Sequence, residues 1–206
     1  MKTIPMVLLA LWCGVAACRA EGAEGWVSLF DGETLDGWRA SENPGSFTVE
    51  DGKIVAHGPR AHLFYEGPVG DADFTDFEIK CKVYTYPNAN SGLFFHTRYQ
   101  EQGWPAHGYE AQINATHRDR IKTGSIYAVD NILDEAPHAD HQWFELYVKV
   151  QGRRVIVKVD GETVVDFTEQ PDEIVGHRRF SNGTIALQAH DPDSRIYFKD
   201  LYLRMD

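Results

Sequence analysis

Val155-Ile156-Val157-Lys158-Val159-Asp160-Gly161-Glu162-Thr163-Val164-Val165 decides the fold class. β-Branched side chains crowd both arms, and they suit a pleated backbone better than a helix. Asp160-Gly161 supplies two residues that tolerate positive φ, as a two-residue hairpin turn requires. Asp51-Gly52 plays the same part between Phe47-Thr48-Val49 and Ile54-Val55. Outward from the hairpin, alternating runs recur at Phe77 to Val83, Leu93 to Arg98, Tyr109 to Asn114, Phe144 to Val150, Ile185 to Ala189 and Ile196 to Leu203. Beyond the N-terminal segment no helical stripe of about 12 residues is present. Many short strands without helices predict an all-β domain of two sheets packed face to face.

The chain has 206 residues, enough for one domain. Its 20 basic and 31 acidic side chains give a net charge of −11, which argues against nucleic acid and anionic membrane surfaces as partners. Lys2 followed by an apolar run from Ile4 to Ala17 reads as an export signal, too short to span a bilayer comfortably. Val15-Ala16-Ala17-Cys18 has the form of a lipoprotein site, with cleavage before Cys18 leaving a lipid-bearing terminus; ordinary cleavage after Ala20 is the alternative. The expected organisation is therefore a signal over 1–17, a tether over 18–25 and one domain over 26–206, located in the periplasm or cell envelope. Only Cys81 belongs to the domain, on the apolar side of its strand, where it reads as a buried, inert thiol.

Alternation also locates the chemistry. Glu110, Gln112 and Asn114 share one strand face, opposite Tyr109, Ala111 and Ile113. Gln188 and His190 oppose Ile185, Leu187 and Ala189, and His96 and Arg98 oppose Leu93 and Phe95. If these strands are neighbours, their polar faces line a groove suited to a polyhydroxylated ligand, flanked by aromatic loops carrying Trp104 and Tyr127.

Further motifs strengthen this reading. Trp26-Val27-Ser28-Leu29-Phe30-Asp31-Gly32-Glu33-Thr34-Leu35-Asp36-Gly37-Trp38 resembles the opening of the 3-keto-disaccharide hydrolase family. The similarity continues through Asn90-Ser91-Gly92, Gly108-Tyr109-Glu110-Ala111-Gln112, Thr123-Gly124-Ser125-Ile126-Tyr127 and Leu187-Gln188-Ala189-His190. The resemblance implies a concanavalin-type jelly-roll β-sandwich of two antiparallel sheets. It also implies cleavage of 3-keto-glycosides, by 1,2-elimination followed by hydration of the resulting glucal. Two positions depart from the family pattern: His96 stands where many members have Arg, with Arg98 two residues on, and Asn114 stands where many have Asp.

A retaining glycosidase needs two carboxylates about 5 Å apart, and the alternating set here offers one, Glu110. A 3-keto sugar asks for less, because the ketone acidifies the proton on carbon 2. A base, an electrophile for the enolate oxygen and an acid for the leaving group then suffice. Glu110 or His190 is the expected base and Arg98 or His96 the expected enolate stabiliser. Gln112, Asn114, Tyr127, Lys122, Trp104 and Gln188 are the expected sugar-binding groups. A divalent metal is a further option, either at Pro137-His138-Ala139-Asp140-His141 or among Glu110, His96 and His190. A partner enzyme that oxidises the sugar would supply the substrate. Two other function classes fit the same pattern: a carbohydrate-binding module using Trp38, Trp104 and Tyr127 as stacking platforms, and an envelope-tethered interaction domain.

Overall fold

The computed structural model describes residues 25–170 and 181–205. The expected signal, Cys18 and the tether up to residue 24 lie outside the described residues. Among the described residues thirteen strands form: β1 (Val27–Ser28), β2 (Trp38–Ala40), β3 (Phe47–Glu50), β4 (Lys53–His57), β5 (Ala61–Tyr65), β6 (Phe77–Thr85), β7 (Ser91–Thr97), β8 (Tyr109–Ile113), β9 (Trp143–Gln151), β10 (Arg154–Val159), β11 (Glu162–Thr168), β12 (Thr184–Ala189) and β13 (Arg195–Met205).

Two antiparallel sheets result, as the sequence predicts. The larger runs β11-β10-β9-β6-β13-β4-β3, with β1 also paired to β13, and the smaller runs β2-β5-β12-β7-β8. The Asp160-Gly161 turn has φ values of 49° and 85°, and Asp51-Gly52 repeats the pattern at 45° and 76°. Positive φ at both central residues matches the turn's twist to that of the strands it joins.

The core lies between the sheets. Phe77, Ile79, Cys81 and Val83 of β6 and Phe144, Leu146, Val148 and Val150 of β9 meet Leu63, Leu93, Phe95, Ala111, Ile185 and Leu187 from the smaller sheet. Full burial of each large apolar side chain contributes about 1.5–3 kcal/mol. Burial pushes the Cys81 thiol far up, so it stays protonated and inert.

The sheets differ on their outer faces. β9 alternates between buried and accessible residues along its length, whereas β5, β7, β8 and β12 are buried at every position. The outer face of the smaller sheet is therefore covered, and the loop at residues 98–108, which carries Trp104, helps to cover it.

Candidate active site

Strand register assembles the site. Phe64, Ala186, Phe94 and Glu110 are successive cross-strand partners over β5, β12, β7 and β8. The neighbouring row pairs His62 with Gln188 and Gly92 with Gln112. These residues alternate with Leu63, Leu187, Leu93 and Ala111, which face the core. The groove strands β12, β7 and β8 are thus neighbours, which meets the condition on which the groove depends.

A cavity of about 360 Å³ opens on this face, lined by Asn90, Phe94, Trp104, Glu110, Gln112, Asp119, Tyr127, Gln188 and His190. Glu110 is 6% exposed and accepts a hydrogen bond from Gln188 Nε2 at 3.2 Å. The Gln112 amide, turned so that its NH2 meets acceptors, donates to Glu110 Oε1 and the Ser91 carbonyl, each at 3.2 Å. Gly92 makes this arrangement possible. A Cβ there would sit 2.2 Å from Glu110 Oε1, so the carboxylate lies across the bare backbone of β7.

On the same cavity His190 Nδ1 donates to Asp191 Oδ2 at 2.6 Å. Burial alone would raise the Asp191 carboxyl. Hydrogen bonds from His190, the Asp193 N–H and Ser194 outweigh it and hold the group below the usual carboxylate range. With Nδ1 engaged, Nε2 is the basic nitrogen of His190. The His190 ring lies 5.1 Å from that of Trp104 and 5.5 Å from that of His117. His117 Nδ1 accepts from Asn90 Nδ2 at 3.2 Å, and Tyr127 donates its hydroxyl to Asp119 Oδ2 at 3.2 Å.

Six residues singled out in the sequence thus line one cavity: Glu110, His190, Gln112, Tyr127, Trp104 and Gln188. Four do not. His96 is displaced by a bulge: between the Phe94/Ala186 and Thr97/Thr184 pairs β7 advances three residues while β12 advances two. At φ 52° its ring turns away, donating from Nε2 to the Thr75 carbonyl and packing against Phe77. Arg98 follows the bulge and lines a separate cavity with Asp73, Tyr99 and Asn182. Asn114 and Lys122 organise a loop instead. Lys122 Nζ donates to the His117 and Asp119 carbonyls at 2.8 and 2.9 Å, and Asn114 Nδ2 donates to the Asp119 and Ile121 carbonyls at 2.9 and 2.8 Å. They fix the turn that delivers Asp119 and His117.

The suggested metal sets also disperse. His96 leaves the groove, and the His138-to-His141 loop sends its side chains to separate partners: His138 to Thr123, Asp140 to Thr85 and Thr116, and His141 to Tyr84. Sequence reasoning missed Asn90, Phe94 and Asp119 as lining residues. For Asn90 a signal existed, since Asn90-Ser91-Gly92 is one of the family-like motifs.

Residues 25–204 match the model of the 3-keto-alpha-glucoside-1,2-lyase-like domain family. The chain belongs to this family. Membership supports a hydrolase acting on carbohydrate. A curated relative, the 3-keto-disaccharide hydrolase of Bacteroides thetaiotaomicron, is 32% identical over 80 residues, covering 35% of this chain and 28% of that protein. Among solved structures, a glycosyl hydrolase-like protein from Parabacteroides distasonis superposes with a TM-score of 0.74 at 23% identity, over 89% of this chain and 95% of that one. The carbohydrate-binding module CBM66 of Bacillus subtilis gives 0.57 at 15% identity, over 82% and 95%. The lumenal domain of VIP36, with calcium and a mannose-containing glycan bound, gives 0.59 at 12%, over 90% of each chain. These likenesses establish the lectin-like sandwich for this family member.

Proposed function

We propose that this chain is an exported enzyme that cleaves 3-keto-glycosides by elimination across carbons 1 and 2, with hydration of the glucal completing a net hydrolysis. The observation that carries this reading is the His190–Asp191 pair sharing one cavity with a single buried carboxylate, Glu110. The cavity's second carboxylate, Asp119, accepts from the Tyr127 hydroxyl and the Ile121 N–H and so serves to position the loop, which leaves a set suited to proton abstraction beside a ketone rather than to direct acetal hydrolysis.

His190 Nε2 takes the proton from carbon 2. The released pair forms the C1–C2 double bond as the C1–O bond breaks, and Glu110, in its acid form, gives its proton to the departing oxygen. Water then adds at carbon 1, losing a proton to the Glu110 carboxylate, while protonated His190 returns one to carbon 2. Both groups regain their starting states. The amides of Asn90 and Gln188, each with a second N–H beyond those given to His117 and Glu110, take the enolate-stabilising place expected of Arg98 or His96, while Gln112 holds Glu110 and Tyr127 and Trp104 contact the sugar. Export rests on the Lys2-led apolar segment, with a lipid on Cys18 as anchor, and an oxidising enzyme outside the cytoplasm would provide the 3-keto group.

The test is a paired incubation of 3-keto-trehalose and 3-keto-lactose beside the unoxidised sugars, each with and without chelator. Release of product from the keto arm alone is expected, and the chelator arm decides whether a divalent metal takes part. Glu110→Gln should lower turnover by about 10³-fold at unchanged Tm; near-normal turnover in that variant sinks the assignment. Cleavage of unoxidised sugar would mark an ordinary glycosidase. Binding without turnover in either arm would mark a carbohydrate-binding module.

A further inference from the structure

Beneath Trp104 lies a group of polar atoms that the scheme above does not use. His62, on β5, is fully buried, and neither Nδ1 nor Nε2 has a hydrogen-bond partner. Its cross-strand partner on the same face is Gln188, whose Oε1 is likewise buried and unpaired. Three orphaned polar atoms therefore sit together at the border of the cavity. Each such atom has lost its water without gaining a partner, so a fold optimised for stability alone would place an apolar residue at position 62.

Aromatic rings enclose the imidazole: Phe94 at 5.2 Å, Phe64 at 6.2 Å and Trp104 at 5.8 Å, the last closing the cavity side. Trp104 itself is 46% exposed, the mark of a side chain that covers rather than packs. Its loop is held by a short chain of contacts. Glu42 accepts from Arg60 at 2.9 and 3.1 Å and from the Gly103 N–H at 3.2 Å, while the Arg60 guanidinium lies 5.0 Å from the Trp104 ring centre.

We propose that His62 and Gln188 Oε1 form a hydroxyl-binding subsite that Trp104 covers in the free protein and uncovers when a sugar enters. The inference rests on the carbohydrate reading of the cavity. A neutral imidazole offers one donor and one acceptor, and an amide oxygen offers a second acceptor. This set matches two adjacent sugar hydroxyls, each able to give and receive. Displacing Trp104 exchanges an apolar cover for ligand oxygens that satisfy all three orphans, and the indole remains beside the sugar as a wall.

The experiment measures Tm, KM and kcat for the full chain and for His62→Leu and His62→Gln, with 3-keto-trehalose as substrate. His62→Leu should raise Tm, because two unpaired nitrogens are replaced by methyl groups, and should raise KM by about tenfold with kcat little changed. His62→Gln, which keeps a donor and an acceptor, should restore KM to within about threefold of wild type. In protein labelled with 5-fluorotryptophan, the Trp104 resonance, assigned by Trp104→Phe, should shift on ligand addition. An unchanged KM in His62→Leu overturns the subsite and leaves the cavity reading intact. A lowered Tm in that variant also overturns it, since the imidazole would then be satisfied in the free protein. Wild-type protein that neither binds nor turns over the sugar overturns the cavity reading itself and the subsite with it.

Discussion

The two sheets treat polar side chains in opposite ways. On the outer face of the larger sheet Glu78 is met by Arg204 at 2.9 Å, Tyr147 at 2.7 Å and Lys149 at 3.3 Å. On the outer face of the smaller sheet His62 meets aromatic rings on three sides and Gln188 keeps an unpaired oxygen. Glu78 is only 5% exposed, yet its partners satisfy it within the free protein, so it supports the fold. Unsatisfied polar groups under cover lower stability and persist where a ligand completes them. The larger sheet is thus the scaffold, and the smaller one holds the site.

The sharpest way to break this division is a pair of substitutions of similar energetic size. Phe198→Ala, in the larger sheet's buried core, should cost about 3–5 kcal/mol of stability and leave KM and kcat near wild type wherever the protein stays folded. Gly92→Ala should do the reverse. Its methyl group would meet Glu110 Oε1 at 2.2 Å and Cγ at 2.6 Å, so the carboxylate must move, and turnover should fall by about 10²-fold or more with a small change in Tm. Denaturant melts and single-substrate kinetics on both variants decide the matter. Equal losses of stability and activity in each would dissolve the distinction.

The same contrast explains what the sequence could reveal. β6, β9, β10 and β13 border water on one side, so their alternation is written in Lys, Glu and Tyr against Val, Ile and Phe. β5, read as Ala61-His62-Leu63-Phe64-Tyr65, has no such contrast because both faces are buried, and it was not legible as a strand. β2 is three residues long and equally silent. Within the site, Glu110, Gln112 and Gln188 were legible because period-2 arithmetic holds on regular strands. It failed at His96 and Arg98, where one bulge residue reverses the faces. Asp119 comes from a loop closed by short-range side-chain bonds from Asn114 and Lys122 to its backbone, an irregular turn that period-2 arithmetic does not describe.

Acid separates the sheets next. Burial lowers the His62 pKa from 6.5 to about 4. The unfolded chain therefore binds more protons between those values, and stability falls as pH drops from 6.5 toward 4, by about 3 kcal/mol at most from this residue. Burial pushes His96, His117 and His138 in the same direction. Glu78 acts lower. Burial raises its carboxyl, but Arg204, Tyr147 and Lys149 hold it below 4.5, so its contribution persists until pH falls beneath that value. Stability measured against pH should show a first decline above pH 4.5 that His62→Leu flattens and a second one below it that His62→Leu leaves alone.

The smallest effect sharpens the comparison most finely, because it sets two similar ion pairs against each other. Arg154 donates to both oxygens of Asp166 at 2.7 and 2.6 Å across the β10–β11 edge, and Arg60 donates to both oxygens of Glu42 at 2.9 and 3.1 Å beside the cavity. By geometry the exposed pair is the better one. Water and salt screen it, and holding two long side chains in place offsets much of the attraction, so Arg154→Ala should change neither Tm nor kinetics measurably. Arg60→Ala should also leave Tm close to wild type, yet it removes the cation lying against Trp104 and frees Glu42 from its principal partner. Trp104 should then cover His62 less of the time, and KM should shift by about two- to threefold while Arg154→Ala shifts nothing. If both variants match wild type in KM, the contacts around Glu42 do not hold the loop. If both change Tm alike, the position of a charged pair in this fold matters less than its geometry.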